Sequence, residues 1–587
     1  MDIIRLRGIG VSPGIAMGEV RLSAPVIFTG RKETISSRRI DNELRRMKRA
    51  IARTRAELVK IKGEIKKKMG DEHAFIFDAH LLILQDKSLL ASLERIIRED
   101  RVKTEWALSQ INNKYLRVFE AINDEYFRQR KSDISDVLAK VYRNLEARKK
   151  AKETDEADKI LVAHELLPSE AATRLSRGTI LGVAMDMGGQ TSHTAILARS
   201  LNVPAVVGLH NLTLLVKNGD YLIVDGTDGE IIVNPPLAVR KEFASKQEKY
   251  NTYRKDLQKT ARLPSATLDG EKFYPLANIE LPEEVNNAFS YGAEGIGLFR
   301  SEFLYLRGSL LPTEDDHFAV YSRIAKEAYP APVYIRTIDI GGEKALPQLN
   351  IEKEPNPALG LRAIRFSLSN KDLFMTQLRA ILRASALGNM RVLIPMITEL
   401  EEVLEVKHLF EEVKQGLRDH KVKFDEHIPL GIMIEVPAAA AVADILAEHV
   451  DYFSIGTNDL IQYYLAVDRS NEYVSYLYKP LHPSVLRLIR FIIKAALKAG
   501  KDVTVCGEMA ADPLPALFLL GFGLRKFSMN PIFIPKFKKA LRAVDSRTVE
   551  KVIRGALKLN TAQAIEEYVI EEILVKYPGV FLMGPTS

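Results

Sequence analysis

Apolar positions recur along this chain with a period that changes several times, and each change marks a different architecture. Over residues 1–25, short apolar pairs are broken by Gly8, Gly10, Pro13 and Gly14, which predicts short strands and turns. From Asn42 to Met69, residues Leu44, Met47, Ile51, Leu58, Ile61 and Ile65 follow steps of three and four, with Thr54 in the one polar place of that seam. This predicts a long amphipathic helix. Three further helical stretches, 73–98, 104–129 and 132–148, complete two predicted hairpins, an all-helical insert suited to a docking surface or a lid. Between Lys159 and Val233 strands and helices alternate again, including the apolar strand Pro204-Ala205-Val206-Val207, so this stretch and the first 25 residues read as one interrupted α/β domain. After Pro235-Pro236, a charged helix from about Val239 to Arg262 reads as a linker.

From residue 273 onward eight short apolar strands alternate with helical segments. They are Tyr274–Ile279, Gly295–Phe299, Pro332–Arg336, Arg391–Pro395, Gly431–Val436, Tyr452–Gly456, Asp502–Cys506 and Lys526–Met529. Eight such units predict a β/α barrel, whose chemistry gathers at the C-terminal ends of the strands. Those ends carry Arg300, Arg336, Asp339, Glu435, Asn458, Asp459 and Cys506, a set that stability alone does not call for.

Composition narrows the class. With 587 residues, 46% hydrophobic and 27% charged, the chain is an ordinary globular one with room for roughly two to four domains. Its start lacks the apolar run of a signal peptide, and no segment approaches the ~18 uncharged apolar residues of a membrane span, so a cytoplasmic protein is expected. The single cysteine excludes an internal disulfide. The net charge of +8 admits an anionic ligand, but no basic block with interleaved aromatics supports a nucleic-acid partner.

Two places carry candidate chemistry. In Gly189-Gln190-Thr191-Ser192-His193-Thr194-Ala195-Ile196-Leu197, Ser192 is a good helix N-cap, so His193 falls in the first turn. Unpaired N–H groups and the positive end of the helix dipole favour phosphate oxygens there, and a neutral imidazole can attack phosphorus. A capping histidine without chemistry is the plain alternative. At the barrel mouth, Arg300, Arg336 and Arg469 offer the planar donor forks that recognise phosphate or carboxylate, or else pair with acids such as Glu302 and Asp339. Lys344 and Arg362 could extend that lining. Glu435 and Asp459 are hard oxygen donors suited to Mg²⁺, or partners for the arginines. Cys506 is open to two readings, a buried small hydrophobe or a protonated thiol acting as a general acid.

The histidine run, Gly295-Ile296-Gly297-Leu298-Phe299-Arg300-Ser301-Glu302-Phe303-Leu304, Arg336-Thr337-Ile338-Asp339-Ile340-Gly341-Gly342, Phe453-Ser454-Ile455-Gly456-Thr457-Asn458-Asp459-Leu460 and Cys506-Gly507-Glu508 together resemble the enzyme I family of the bacterial phosphoenolpyruvate:sugar phosphotransferase system. The likeness spans nearly the whole chain. It implies an α/β multidomain fold: a swivelling α/β phosphohistidine domain (1–25 and 149–235) with an all-helical insert (26–148) that docks the histidine phosphocarrier protein HPr, a linker helix (236–262), and a C-terminal (β/α)8 TIM barrel (263–587) that binds phosphoenolpyruvate. It further implies that Arg300, Arg336 and Arg469 bind the phosphate, that Asn458 orients it, and that Glu435 and Asp459 hold Mg²⁺ against the substrate. His193 then takes the phosphoryl group and Cys506 protonates the departing enolate. A homodimer through the barrel is implied, with neither nucleic acid nor membrane insertion. Ser301 stands where the family is expected to carry threonine, and Tyr464 where a small residue is usual. The basic balance, with Lys66, Lys67 and Lys68 beside the expected docking helices, contrasts with the acidic character expected of the family. The alternatives are a catalytically silent phosphoenolpyruvate-sensing regulator and a dikinase-like phosphotransferase.

Overall fold

In the computed structural model the described residues are 3–23, 32–69, 76–120, 125–145, 158–175, 178–189, 192–306, 311–341, 354, 356–469, 471 and 473–578. They form two units, Met1–Tyr253 and Arg254–Met583, and the boundary falls inside the 25-residue helix Leu237–Ala261.

The first unit is built on an eight-stranded sheet of β1 (Ile4–Arg7), β2 (Ile9–Ser12), β3 (Ile15–Leu22), β4 (Lys159–Ala163), β5 (Ile180–Met185), β6 (Ala205–Val207), β7 (Tyr221–Asp225) and β8 (Glu230–Val233). The strand order is β1-β8-β7-β3-β4-β5-β6-β2, with β3 to β6 parallel and the remaining pairs antiparallel. β1 and β2 end that order on opposite sides, yet only Gly8 separates them in the chain. The sheet must therefore curl until its two edges nearly meet, since one residue spans only about 3.8 Å.

Between β3 and β4 the chain forms the helices Ile40–Met69, Ile76–Gln85, Lys87–Glu99, Thr104–Glu120 and Glu125–Leu145. The seam of the first is buried at Leu44, Met47, Leu58, Ile61 and Ile65. Thr54 is fully buried in it and satisfied, its Oγ1 donating to the Ala50 carbonyl at 3.0 Å and accepting from Asn144 Nδ2 at 3.0 Å. Two sequence expectations need correcting. The stretch 73–98 is interrupted, because the Asp86 side chain accepts from Leu89 N at 2.8 Å and caps a new helix. The stretch 104–129 is likewise shared by two helices, since Glu125 already belongs to the next one. Their apolar stripes continue one another, so periodicity alone does not reveal either break. Residues 73–75 and 121–124 and the Lys66–Lys68 side chains lie outside the described residues.

The second unit is the predicted barrel. β9 (Tyr274–Ile279), β10 (Ile296–Arg300), β11 (Val333–Arg336), β12 (Met390–Ile394), β13 (Leu430–Ile434), β14 (Tyr452–Ile455), β15 (Asp502–Val505) and β16 (Lys526–Met529) pair in parallel, and β16 closes on β9. Each predicted strand is present, with ends displaced by at most a residue or two. Leu276, Leu298, Tyr334, Leu393, Met433, Tyr452 and Cys506 fill the barrel interior, and a larger apolar layer lies between strands and outer helices. Among the described residues no helix is long and apolar enough to cross a membrane.

Candidate active site

At the C-terminal ends of the barrel strands the second unit opens into a cavity of about 1030 Å³. Arg300, Arg336, Glu435, Asn458, Asp459, Arg469 and Cys506 all line it, as do Asp339, Arg362, Arg365 and Tyr463. Arg300, Arg336, Glu435, Asn458, Asp459 and Cys506 are delivered by a strand end or the turn after it, and Arg362, Arg365, Tyr463 and Arg469 by later helices and loops. β10 ends on Arg300 and β11 on Arg336, Glu435 follows β13 directly, and Asn458 and Asp459 stand in the first turn of the helix Thr457–Leu465 after β14.

Glycine permits the close approach of these turns. A Cβ on Gly507 would lie 1.9 Å from Thr457 Oγ1, and one on Gly456 would lie 2.7 Å from Glu435 Oε2. The bare backbone at Gly507 lets Asn458 accept from the Glu508 N–H at 2.8 Å, and Asn458 Nδ2 reaches Glu508 Oε1 at 3.4 Å.

The arginines are held by acids. Arg336 is buried; its Nη2 donates to Glu302 and its Nη1 lies 3.2 Å from Asp339 Oδ2. Its Nε is buried and has no hydrogen-bond partner. Arg362 bridges two acids, with Nη2 at 3.0 Å from both Asp339 oxygens and 3.3 Å from Asp459 Oδ2, while Nη1 donates to Tyr463 OH at 2.9 Å. The neighbouring carboxylates raise both guanidinium pKa values against the opposing effect of burial. Arg300 and Arg469 are more exposed; the first donates to Glu280 Oε1 at 2.6 Å, and the second lies 3.7 Å from Glu508 Oε1. The arginines therefore line one cavity and pair with acids.

Glu435 is 2% exposed, and its Oε1 accepts from Met396 N at 2.7 Å. Burial, then the charges of Asp459 and Asp339, push its pKa up to about 8. A buried carboxyl under the charges of Asp459 and Asp339, with the backbone brought close at Gly456, is a hard-oxygen donor set whose repulsion a cation would relieve. These residues fit a divalent cation.

Cys506 is buried, with Ser454 Oγ 3.3 Å from its sulfur. Burial pushes the thiol up to about 11, so the group is protonated at neutral pH.

In the first unit the helix His193–Ser200 begins where expected, with Ser192 Oγ accepting from Ala195 N at 3.3 Å. Leu166 in the loop after β4 accepts from Thr194 Oγ1 at 3.4 Å, which ties that loop to the helix start. The His193 side chain, Gln190, Thr191 and Lys344 lie outside the described residues.

Sequence reasoning left Tyr463 out of the site altogether. It named Asp339 at the rim and Glu302 as a possible arginine partner, without assigning either a role. Glu508 was visible next to Cys506-Gly507, but no spacing rule identifies it as the partner of Asn458 and Arg469.

Comparison with known proteins follows the same division of the chain. Family models described as "PEP-utilising enzyme, N-terminal", "PEP-utilising enzyme, mobile domain" and "PEP-utilising enzyme, PEP-binding domain" match residues 7–130, 155–229 and 254–546. The chain is 42% identical to the phosphoenolpyruvate-protein phosphotransferase of Geobacillus stearothermophilus over 566 residues, covering 96% of this chain and 97% of that one. Against the Haemophilus influenzae protein of the same name identity is 40% over 574 residues, covering 97% and 100% of the two chains. For Bacillus subtilis it is 41% over 570 residues, covering 96% and 99%. With a closed parallel barrel, a mobile-domain sheet and this degree of identity along nearly its whole length, the chain belongs to the phosphoenolpyruvate-protein phosphotransferase family.

Proposed function

We propose that this protein transfers the phosphoryl group of phosphoenolpyruvate to its own His193 and then to a histidine of the phosphocarrier HPr, releasing pyruvate, as the first step of sugar uptake by the phosphotransferase system. The observation that carries this reading is the barrel-mouth cavity, where five arginines, a carboxylate pair and a buried protonated thiol converge.

Arg300, Arg336 and Arg469 bind the phosphate through N–H donors, and Asn458, held by Glu508, orients it. Glu435 and Asp459 are the residues that would hold Mg²⁺, which when bound supplies positive charge against the phosphate and carboxylate oxygens. His193 Nε2 attacks phosphorus, the bond from phosphorus to the enol oxygen breaks, and its electron pair leaves with the enolate of pyruvate. Cys506 then gives its proton to the enolate carbon, forming the methyl group, and the thiolate recovers a proton from water. Because His193 and the cavity belong to different units, each turnover brings them together and then presents the phosphohistidine to the carrier. The helical insert is the proposed HPr-docking surface, and a homodimer through the barrel is the proposed assembly of this cytoplasmic enzyme.

The test is incubation of the full chain with labelled phosphoenolpyruvate and Mg²⁺, followed by mass spectrometry at neutral-to-alkaline pH. Acid-labile phosphate on His193, absent from His193→Ala, is expected. A folded wild-type chain that takes no label overturns the reading and points to a silent regulator, and label exchanging into ATP or AMP points to a dikinase-like reaction.

A further inference from the structure

A second polar cluster lies behind the cavity wall, buried between the barrel strands and two outer helices. Gln377 sits in the helix Lys371–Ala384 on the stripe it shares with Phe374, Leu378 and Ile381, all fully buried. Its Oε1 accepts from Ile338 N at 2.9 Å, and its Nε2 donates to Ser301 Oγ and to Tyr321 OH, each at 3.0 Å. Ser301 Oγ in turn donates to the Arg336 carbonyl at 2.8 Å. Tyr321 OH lies 2.9 Å from His317 Nδ1.

Two backbone groups fix the direction of the bonds around Gln377 and Ser301. The Ile338 N–H can only donate, which orients the Gln377 amide, and the Arg336 carbonyl can only accept, which orients the Ser301 hydroxyl. Tyr321 accepts from Gln377 and shares a hydrogen bond with His317 Nδ1. Burial holds His317 neutral, down to about 4.

We infer that Gln377 is a positioning residue for the phosphate-binding arginines, acting through Ser301. The glutamine does not line the cavity; it joins the segment Arg300-Ser301-Glu302 at the end of β10 to the segment Arg336–Asp339 at the end of β11. These two segments carry Arg300 and Arg336 together with the acids Glu302 and Asp339 that flank Arg336. A single amide therefore fixes the spacing of two anion-binding guanidinium groups, and the hydroxyl at Ser301 is what that link requires. Packing alone would place apolar residues here, because burying an amide is favourable only when its donors and acceptor are all met.

The inference rests on the proposed function, and the experiment separates the two. In the full chain, Gln377→Met keeps the volume and removes all three hydrogen bonds, and Ser301→Ala removes the bond from Gln377 and the link to the Arg336 carbonyl. The expected result is a rise in the phosphoenolpyruvate KM of on the order of tenfold in each. Transfer from already phosphorylated His193 to the carrier stays at the wild-type rate. The double variant should be no worse than the worse single one, because both changes break the same link. Ser301→Ala is a small deletion, and it keeps the test informative if Gln377→Met does not fold. An unchanged KM in a folded variant, or equal losses in both half-reactions, overturns the inference. A wild-type chain that takes no label from phosphoenolpyruvate overturns the proposed function instead.

Discussion

Substituting Gly456 by alanine tests whether the Glu435 carboxylate is held in a working position or merely buried. The backbone there has φ −84° and ψ 78°, a conformation open to alanine, so the substitution introduces no backbone strain. What it introduces is a methyl group 2.7 Å from Glu435 Oε2, 3.0 Å from Glu435 Cβ and 3.1 Å from Met433 Sδ. Ordinary contact begins near 3.4 Å, so the carboxylate has to withdraw by about 0.7 Å. Its other oxygen is pinned by the Met396 N–H at 2.7 Å, so the carboxylate turns about that bond and Oε2 leaves its place beside residue 456. A displacement approaching 1 Å at a reacting centre costs on the order of 10²-fold in rate, whereas overpacking by one methyl costs about 1–3 kcal/mol of stability. Gly456→Ala is therefore expected to stay folded, with the labelling of His193 by phosphoenolpyruvate reduced about 100-fold. In a His193→Ala background, where no turnover can occur, calorimetric titration with Mg²⁺ in the presence of phosphoenolpyruvate should show binding weakened tenfold or more. Wild-type Mg²⁺ affinity together with a wild-type labelling rate in folded Gly456→Ala would refute the assignment of Glu435 as a metal ligand.

Two further outcomes follow from the buried titratable groups. Cys506→Ala should leave the phosphoenolpyruvate KM within a few fold and lower kcat by roughly 10²–10⁴, the range of general acid catalysis, measured as pyruvate release; a kcat within threefold of wild type removes the thiol from the mechanism. His317 takes up a proton near 6.5 when unfolded but only near 4 in the folded chain, where burial outweighs the charge of Asp316. Between those values the unfolded state binds more protons, so stability rises with pH across that window and is lost as pH falls through it, by about 3 kcal/mol in all. His317→Gln should flatten that part of the pH dependence in denaturant unfolding, and an unchanged slope would contradict the assignment.

The barrel was legible because its signals are redundant. Each strand is a short apolar run, and several runs end on or are followed by a residue type that an apolar interior rejects, such as Arg300, Arg336 or Glu435. The helix break at Asp86 was not legible, since both sides of it carry the same period and one capping carboxylate decides the matter. At the site, the seven barrel residues picked from strand ends do share one cavity, because a closed parallel barrel leaves strand ends nowhere else to converge. Partners that arrive from distant positions were invisible. Arg362 reaches Asp459 across 97 positions, and Gln377 reaches Ser301 across 76. The signal for Gln377 was nonetheless present, as a lone amide on an otherwise apolar helix stripe. Thr54 gave the same kind of signal and proved to be a satisfied core hydroxyl rather than a site. A polar residue in an apolar seam thus announces a hydrogen-bonded core, and only the fold says what that core supports.

The pairing of charges at the mouth explains how one cavity can attract a highly charged anion without collapsing on its own acids. Phosphoenolpyruvate brings about 1.5 to 2 negative charges on its phosphate and one more on its carboxylate. Arg300 and Arg469 hold their acids at the surface, where a pair contributes little, so an incoming phosphate can take the place of Glu280 or Glu508 at small cost. Arg336 is different, since its pairs with Glu302 and Asp339 are buried and breaking either would strand a charge in the wall. It therefore keeps both acids, and in the proposed reaction it adds positive charge to the cavity wall that the phosphate meets. Glu435 lines the same cavity as a carboxyl whose pKa burial, and then the charges of Asp459 and Asp339, push up to about 8, and a bound cation would relieve that cost. In the proposed reaction, exposed pairs that exchange, a buried pair that does not, and a carboxyl that a cation would relieve favour one orientation of the substrate, with its phosphate on the arginines and its enol carbon left for Cys506.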